Sequence, residues 1–409
     1  MTQLFKTTAI IAFASNFLIA GSCSGGVCGG AITPHIPSDI QESANLKPFK
    51  LSADKQIEED YKVWVLADNA GDADIGKNRL MSGIDVNSLF ENSDKLSLFG
   101  LISSENLNGD HLKSGKFSYA YPLPWKDLII EASFVQTNYS LTELLPGSTG
   151  IGTIRSVEGK ITYPFIHSEN ESLNFSLYLT NSNIDEEITN DFFMTEDGKK
   201  SYSATAHIDF EMRKYPLFNL DTNHKLSLGL AAGNLSFDDP YAEALDKLTF
   251  NTQGSYAKIN VDYKNTISIA SNTTLESKLR GQYALNNKNL DDSASITIGG
   301  INGVKVYEES STYDSNGFVV DIEGKYKLPE FQSIRNKVGI FYDYGQIWAS
   351  DPILPDNETV AVQDAGAGIY TSYKKFFSKI QAAVKVGNSE VSTRDDRDYR
   401  VIFQAGMVF

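Results

Sequence analysis

Past its first two dozen residues the chain has no apolar run approaching the ~20 residues that a membrane helix needs, so a helical membrane protein is excluded. Cysteine is nearly missing. The 409 residues hold two, Cys23 and Cys28, and no catalytic or metal-ligating pattern surrounds either. Basic charge is in deficit: 36 Lys and Arg face 52 Asp and Glu, a net charge of −16, which argues against phosphate-backbone binding and removes nucleic acid as a partner. Histidine is scarce as well. His35, His111, His167, His207 and His224 stand in no recognisable nucleophile motif, and there is neither HExxH nor a glycine-rich phosphate loop leading into a helix. Enzymatic function is disfavoured on these grounds, and no cofactor or metal is expected. The composition is otherwise that of a folded protein of one large or two ordinary domains.

The first residues, MTQLFKTTAIIAFASNFLIAGSC, carry one basic residue (Lys6), an apolar run from Ala9 to Ala20 and a small-residue exit through Gly21 and Ser22. That pattern predicts a secretory signal peptide over residues 1–22. Two readings of Cys23 stand open: a lipidated N-terminus, or a small disulfide with Cys28 in an oxidising compartment. Residues 23–60 are polar, with Pro34, Pro37 and Pro48, and Ser38 could cap a short helix. This stretch reads as a tether or plug.

From Tyr61 onward the dominant signal has period two. Leu173, Phe175, Leu177 and Leu179 alternate with Asn174, Ser176 and Tyr178, and Tyr202 to Arg213 places Ala204, Ala206, Ile208 and Phe210 opposite Thr205, His207, Asp209 and Glu211. Such alternation marks strands with one apolar face. A soluble sandwich would alternate too, so strand length and the chemistry of the polar face decide. Runs here reach about ten residues, the length of a membrane-spanning strand, and their polar faces carry charges. About sixteen such runs fit residues 61–409, at roughly 22 residues for each strand with its connection. The fold expected is all-β: a transmembrane antiparallel barrel in the bacterial outer membrane, with lipid as its surroundings. "DNAGDADIGKN", "NSNIDEEITNDFFMTEDGKK" and "GNLSFDDPYAEALDKLTFNTQG" read as external loops, and "PLPWKD" and "YKKFFSK" as periplasmic turns. The last strand, with Tyr399, Val401 and Phe403 on its apolar face, stops on Phe409. It resembles the terminal signal read by the barrel assembly machinery.

Late in the chain, "GGINGVKVYEES" sets Lys305 between two valines behind Gly299 and Gly300, in the long connection between the eleventh and twelfth strands. Period two then places Asp321, Glu323 and Lys325 on the face opposite Phe318, Val320, Ile322 and Tyr326, so Glu323 points inward. With "NKVGIFYDYGQIW" behind it, this region resembles the outer-membrane transporters of two-partner secretion, the ShlB/FhaC/HecB haemolysin secretion and activation family. The matching positions are the tip Val304, Lys305, Val306 and Tyr307, the strand residue Glu323, and Phe341, Asp343 and Gly345. "GKNRLMSGIDVNSLFENSDKLSLFG" looks like the family's first hairpin, and Tyr119 with Pro122 is similar to its Tyr-x-x-Pro turn.

The resemblance implies a pore that secretes an unfolded exoprotein client without a nucleotide cofactor, with the long loop folded into the lumen and Lys305 locked onto Glu323 and Asp343. Glu211, Arg213 and Lys258 would then be lumen charges that the client passes. The family has arginine where Lys305 stands and glycine at Val306, departures that imply a looser lock. Family members also carry two periplasmic POTRA domains, and the segment ahead of Tyr61 is too short for one. The alternative is a passive porin-like or structural barrel that has lost POTRA-dependent client binding. An outer-membrane hydrolase is a third reading, from another class.

Overall fold

The computed structural model describes residues 61–409 apart from 73–75, 91–93, 106–110, 124–127, 143–148, 190–193, 218–219, 310–311, 352–358 and 388–396. Ahead of them it describes 23–24 and 27–28, which pair as a short antiparallel ladder. The expected signal peptide, the rest of the tether, the side chains of both cysteines and the tip of the PLPWKD turn lie outside the described residues.

Sixteen antiparallel strands close into one barrel. In chain order they are β1 Tyr61–Asp68, β2 Asn78–Asn87, β3 Lys95–Ser104, β4 Leu112–Leu123, β5 Leu128–Thr142, β6 Thr149–His167, β7 Glu171–Thr189 and β8 Met194–Leu217. The second half comprises β9 Leu220–Phe237, β10 Gly254–Ala270, β11 Thr273–Ala284, β12 Asn316–Lys327, β13 Ile334–Trp348, β14 Val360–Tyr373, β15 Phe376–Lys385 and β16 Tyr399–Val408. One helix, α1 Pro240–Thr249, sits between β9 and β10, its start set by Pro240 and by Asp239, whose carboxylate accepts from the Tyr241 N–H.

The burial pattern inverts that of a water-soluble protein. On β12, Ile322 is 43% exposed while its neighbours Asp321 and Glu323 are 7% and 4% exposed. Apolar side chains therefore face outward and charges inward, as a closed sheet in lipid requires, since closure leaves no unpaired backbone edge. Tyr399, Val401, Phe403 and Phe409 all belong to the exposed outer surface.

The connections at 168–170, 271–272 and 374–375 are short and lie at the end of the barrel that holds Tyr61 and Phe409. The opposite end carries the long ones, including 238–253 with α1 and 285–315. Short turns at one rim and long loops at the other orient the barrel, the long ones outside the cell.

The expected loop over 181–200 is largely strand. β7 continues to Thr189 and β8 resumes at Met194, paired from Lys199 opposite Ile184 to Met194 opposite Thr189. Their outward face changes from Phe175, Leu177 and Leu179 to Asn181, Asn183 and Asp185, and Asp185 is bridged by Arg155 at 2.8 Å. This wall rises above the apolar belt, where its outward face meets water and has no reason to be greasy. β8, at 24 residues, is more than twice the length of about ten needed to span.

The barrel closes where β16 meets β1, with Gln404 opposite Asp68 and Val408 opposite Trp64. Asp68 is the hinge pin of this seam: Arg79 of β2 donates to both its oxygens at 2.8 and 3.1 Å, and Gln404 of β16 donates at 3.1 Å. Arg79 and Asp68 side chains are 6% and 0% exposed. Arg79→Ala would strand a buried carboxylate, at about 3–5 kcal/mol. The expected result is a clear fall in the temperature at which the folded barrel converts to its slower-migrating unfolded form on a denaturing gel. An unchanged transition would show that the seam does not depend on this pair.

Candidate functional site

Residues 285–309 and 312–315, between β11 and β12, fold back against the inward face of the wall. Three inward side chains of β10 and β11 hold its near limb. Lys258 donates to the Ala294 carbonyl at 2.6 Å and to the Gln282 carboxamide at 3.0 Å, Gln282 donates to the Ala294 and Ser315 carbonyls, and Arg280 donates to the Thr297 carbonyl at 2.7 Å. From β8, Lys199 reaches Asp291 at 3.2 Å. Lys258, expected as a charge along an open path, is thus occupied in gripping the loop. Glu211 and Arg213 pair with each other at 2.7 Å lower on β8.

The tip is a compact turn. The Val304 N–H donates to the Ile298 carbonyl (2.8 Å), the Gly300 N–H to the Tyr307 carbonyl (2.9 Å) and the Gly303 N–H to the Gly300 carbonyl (3.1 Å), with Gly299 bridged to Val304. Gly300 has φ +80°, and a Cβ there would come within 2.3 Å of Glu309 Cγ. The glycine lead-in is therefore a backbone requirement.

Strand register prepares what the tip meets. Asp321 of β12 stands opposite Asp343 of β13, and Asp343 opposite Asp364 of β14. Three carboxylates side by side on adjacent strands repel one another unless a cation joins them. Lys305 joins two of the three: its Nζ lies 2.6 Å from Asp343 Oδ2 and 3.0 Å from Asp321 Oδ2, and 4.3 Å from the centre of the Phe341 ring. Asp364 accepts the Val306 N–H at 2.8 Å. The Lys305 side chain is 3% exposed and that of Asp343 0%. Burial works against the charge on Lys305, but Asp321 and then Asp343 outweigh it, so the lysine pKa is raised and the ammonium is retained.

An apolar collar surrounds this charge. Ile298, Val304, Val306 and Tyr307 of the tip pack with Val319, Phe341, Ile347 and Val362 of the wall. Val306, where the family pattern has glycine, is 2% exposed and belongs to this packing. Gly345 lies directly beneath Ile298 and Val304.

The far limb reaches the closing seam. Arg397 donates to Glu308 at 2.6 Å, Arg400 of β16 donates to the Lys305 and Gly71 carbonyls at 3.3 and 2.7 Å, and the Glu309 N–H reaches Asp72 at 3.4 Å. Burial, and next to it the Asp72 charge, push the Glu309 carboxyl up to about 7.

Glu323 is the correction. It points inward but does not meet Lys305: Lys325 lies 3.2 Å from it and the Tyr370 hydroxyl donates to it. Two residues along the strand is one full pleat repeat, which sets Glu323 below the level the lysine reaches. Its place is taken by Asp321, which shares the inward face. Asp364 was missed; the signal is its register with Asp343, which hydrophobic alternation does not reveal.

A closed sixteen-stranded sheet, apolar outside and charged inside, defines a bacterial outer-membrane barrel. Residues 50–369 match the family model for the haemolysin secretion/activation protein ShlB/FhaC/HecB, and the chain belongs to that family. It is 22% identical over 343 residues to the heme/hemopexin transporter protein HuxB of Haemophilus influenzae, covering 83% of this chain. It spans 59% of that relative's length. Among solved structures, CdiB from Escherichia coli superposes with a TM-score of 0.72 at 13% identity, over 87% of this chain and 64% of that one. BamA from Haemophilus ducreyi lacking POTRA domains 1–3 gives 0.56 at 11% identity, over 86% and 71%. At these identities the likeness is one of fold.

Proposed function

We propose that the barrel is the outer-membrane translocation pore of a two-partner secretion system, moving an unfolded haemolysin- or adhesin-like exoprotein outward and activating it. The observation that carries this reading is the seat of Lys305, in a chain of a secretion family. One loop cation holds two wall carboxylates and the backbone N–H beside it holds a third, so the loop acts as a latch that is firm when closed yet released as a unit. Folding of the client outside the cell drives transport, since the periplasm supplies no nucleotide. Lys305, Asp321 and Asp343 form the latch, with Asp364 holding the backbone beside it. Gly299, Gly300, Val304, Tyr307, Phe341 and Gly345 shape its seat. The strand ending in Phe409 is the handle for the assembly machinery.

The test is secretion of an exoprotein encoded beside the barrel, assayed in medium and on the cell surface, from cells with the barrel, without it, and with Lys305→Ala. Secretion is expected to require the barrel and to fall in the variant. A client retained in the periplasm by cells whose barrel is correctly inserted would favour the passive channel instead.

A further inference from the structure

The lipid-facing side of the wall carries a groove. On β2 to β5, Ser82, Gly100, Gly115 and Gln136 stand opposite one another in register and face outward. Below them runs an apolar row, Ile84, Leu98, Phe117 and Phe134, each 41–46% exposed. The small residues leave a hollow of about 710 Å³ across the four strands. It is shallow and opens sideways into the membrane.

Nothing within the wall asks for glycine at these positions. Neither Gly100 nor Gly115 has a positive φ. A Cβ added at Gly100 would come no closer than 3.9 Å to Ser82 Oγ, and one at Gly115 no closer than 3.8 Å to the Phe99 carbonyl. The missing side chains relieve no clash; they keep space. A hollow left empty against hydrocarbon forfeits dispersion contacts, and a slender acyl chain restores them.

The upper edge of the groove is apolar on β2 and β3, where Leu80 and Ile102 form it, and changes chemistry on β4 and β5. One pleat repeat nearer the long loops, Lys113 stands exposed opposite Asn138. The Asn138 carboxamide oxygen accepts from Thr153 at 3.0 Å and from Gln136 at 3.4 Å, which leaves its N–H groups as donors of this rim. Arg155, the next cation along the same face, is bridged to Asp185 at 2.8 Å. A cation and amide donors at the outer-leaflet edge, above an apolar floor, match a lipid with an anionic headgroup. We propose that this groove is a binding site for a phosphorylated glycolipid of the outer leaflet, with one acyl chain along Gly100 and Gly115 and a phosphate at Lys113.

The experiment is native mass spectrometry of the delipidated full chain titrated with a hexa-acylated, doubly phosphorylated lipid A, its dephosphorylated form, and phosphatidylglycerol. Folding of each variant is verified by heat-dependent gel migration. Lys113→Gln is expected to weaken the phosphorylated form about tenfold, the worth of one charge-assisted hydrogen bond, and to leave the dephosphorylated form unchanged. The double variant Gly100→Val with Gly115→Val fills the groove and is expected to weaken both glycolipids. Gly159→Val, at an outward glycine on β6 with open space around it, is the control and is expected to change nothing. Equal retention by all four proteins, or phosphatidylglycerol bound as tightly as lipid A, would overturn the proposal.

Discussion

Lys305→Ala is expected to unseat the loop. The lysine is the cation that Asp321 and Asp343 share, at 3.0 and 2.6 Å, and Asp364 stands beside Asp343 in register. Removing it leaves buried like charges facing one another, and breaking a buried pair from one side costs about 3–5 kcal/mol. The wall cannot respond, because β12, β13 and β14 are tied by continuous ladders, whereas the loop is a connection that can move. The expected outcomes are protease cleavage within 285–315 on intact cells and a rise in single-channel conductance in planar bilayers. Lys305→Arg should keep the loop seated, since the guanidinium also offers donors to two carboxylates. Adding Asp343→Asn to Lys305→Ala should recover part of the loss, because residues in one network couple by about 0.5–3 kcal/mol. A Lys305→Ala protein as protected and as closed as the parent would mean that the charge does not hold the loop.

Much of this molecule could be read from alternation, and the limits of that reading are physical. Strands show themselves where one face meets lipid and the other does not. β12 is legible because Val320, Ile322 and Tyr326 must be apolar while Asp321 and Glu323 need not be. The upper halves of β7 and β8 are hidden for the same reason: above the belt Asn181 and Asp185 meet water, and hydrogen bonding persists without a hydrophobic signal. The latch was half legible. Lys305 and Asp343 emerge from the motif, and the inward face of Asp321 from periodicity, but which inward carboxylate lies level with the lysine depends on how far the loop descends. That depth is fixed by Ile298, Val304 and Val306 packing on Val319, Phe341 and Val362, a set of contacts between segments far apart in the chain. Asp364 needed the register between β13 and β14, which a single sequence does not encode.

Gly345→Val tests the same seat through packing alone. A Cβ at this position would stand 2.9 Å from Ile298 Cβ, 3.1 Å from its Cδ1 and 3.3 Å from Val304 Cγ2, and the two further methyl carbons of valine crowd the site more. Overpacking of this kind costs about 1–3 kcal/mol. In register, Gly345 lies between Val319 and Val362, so the strand cannot shift away without breaking ladders on both sides. The tip is expected to lift, raising conductance and protease cleavage as Lys305→Ala does, with every charge still in place. Gly345→Ala, which adds the Cβ alone, should give a smaller effect of the same sign. If Gly345→Val matches the lysine variant, the apolar collar bears as much of the closure as the ion pairs, and a passing chain could release the latch by wedging beneath Ile298 without touching the aspartates. If the valine variant stays closed while Lys305→Ala opens, release has to begin at the charge, and the client must carry or expose groups that compete for Lys305.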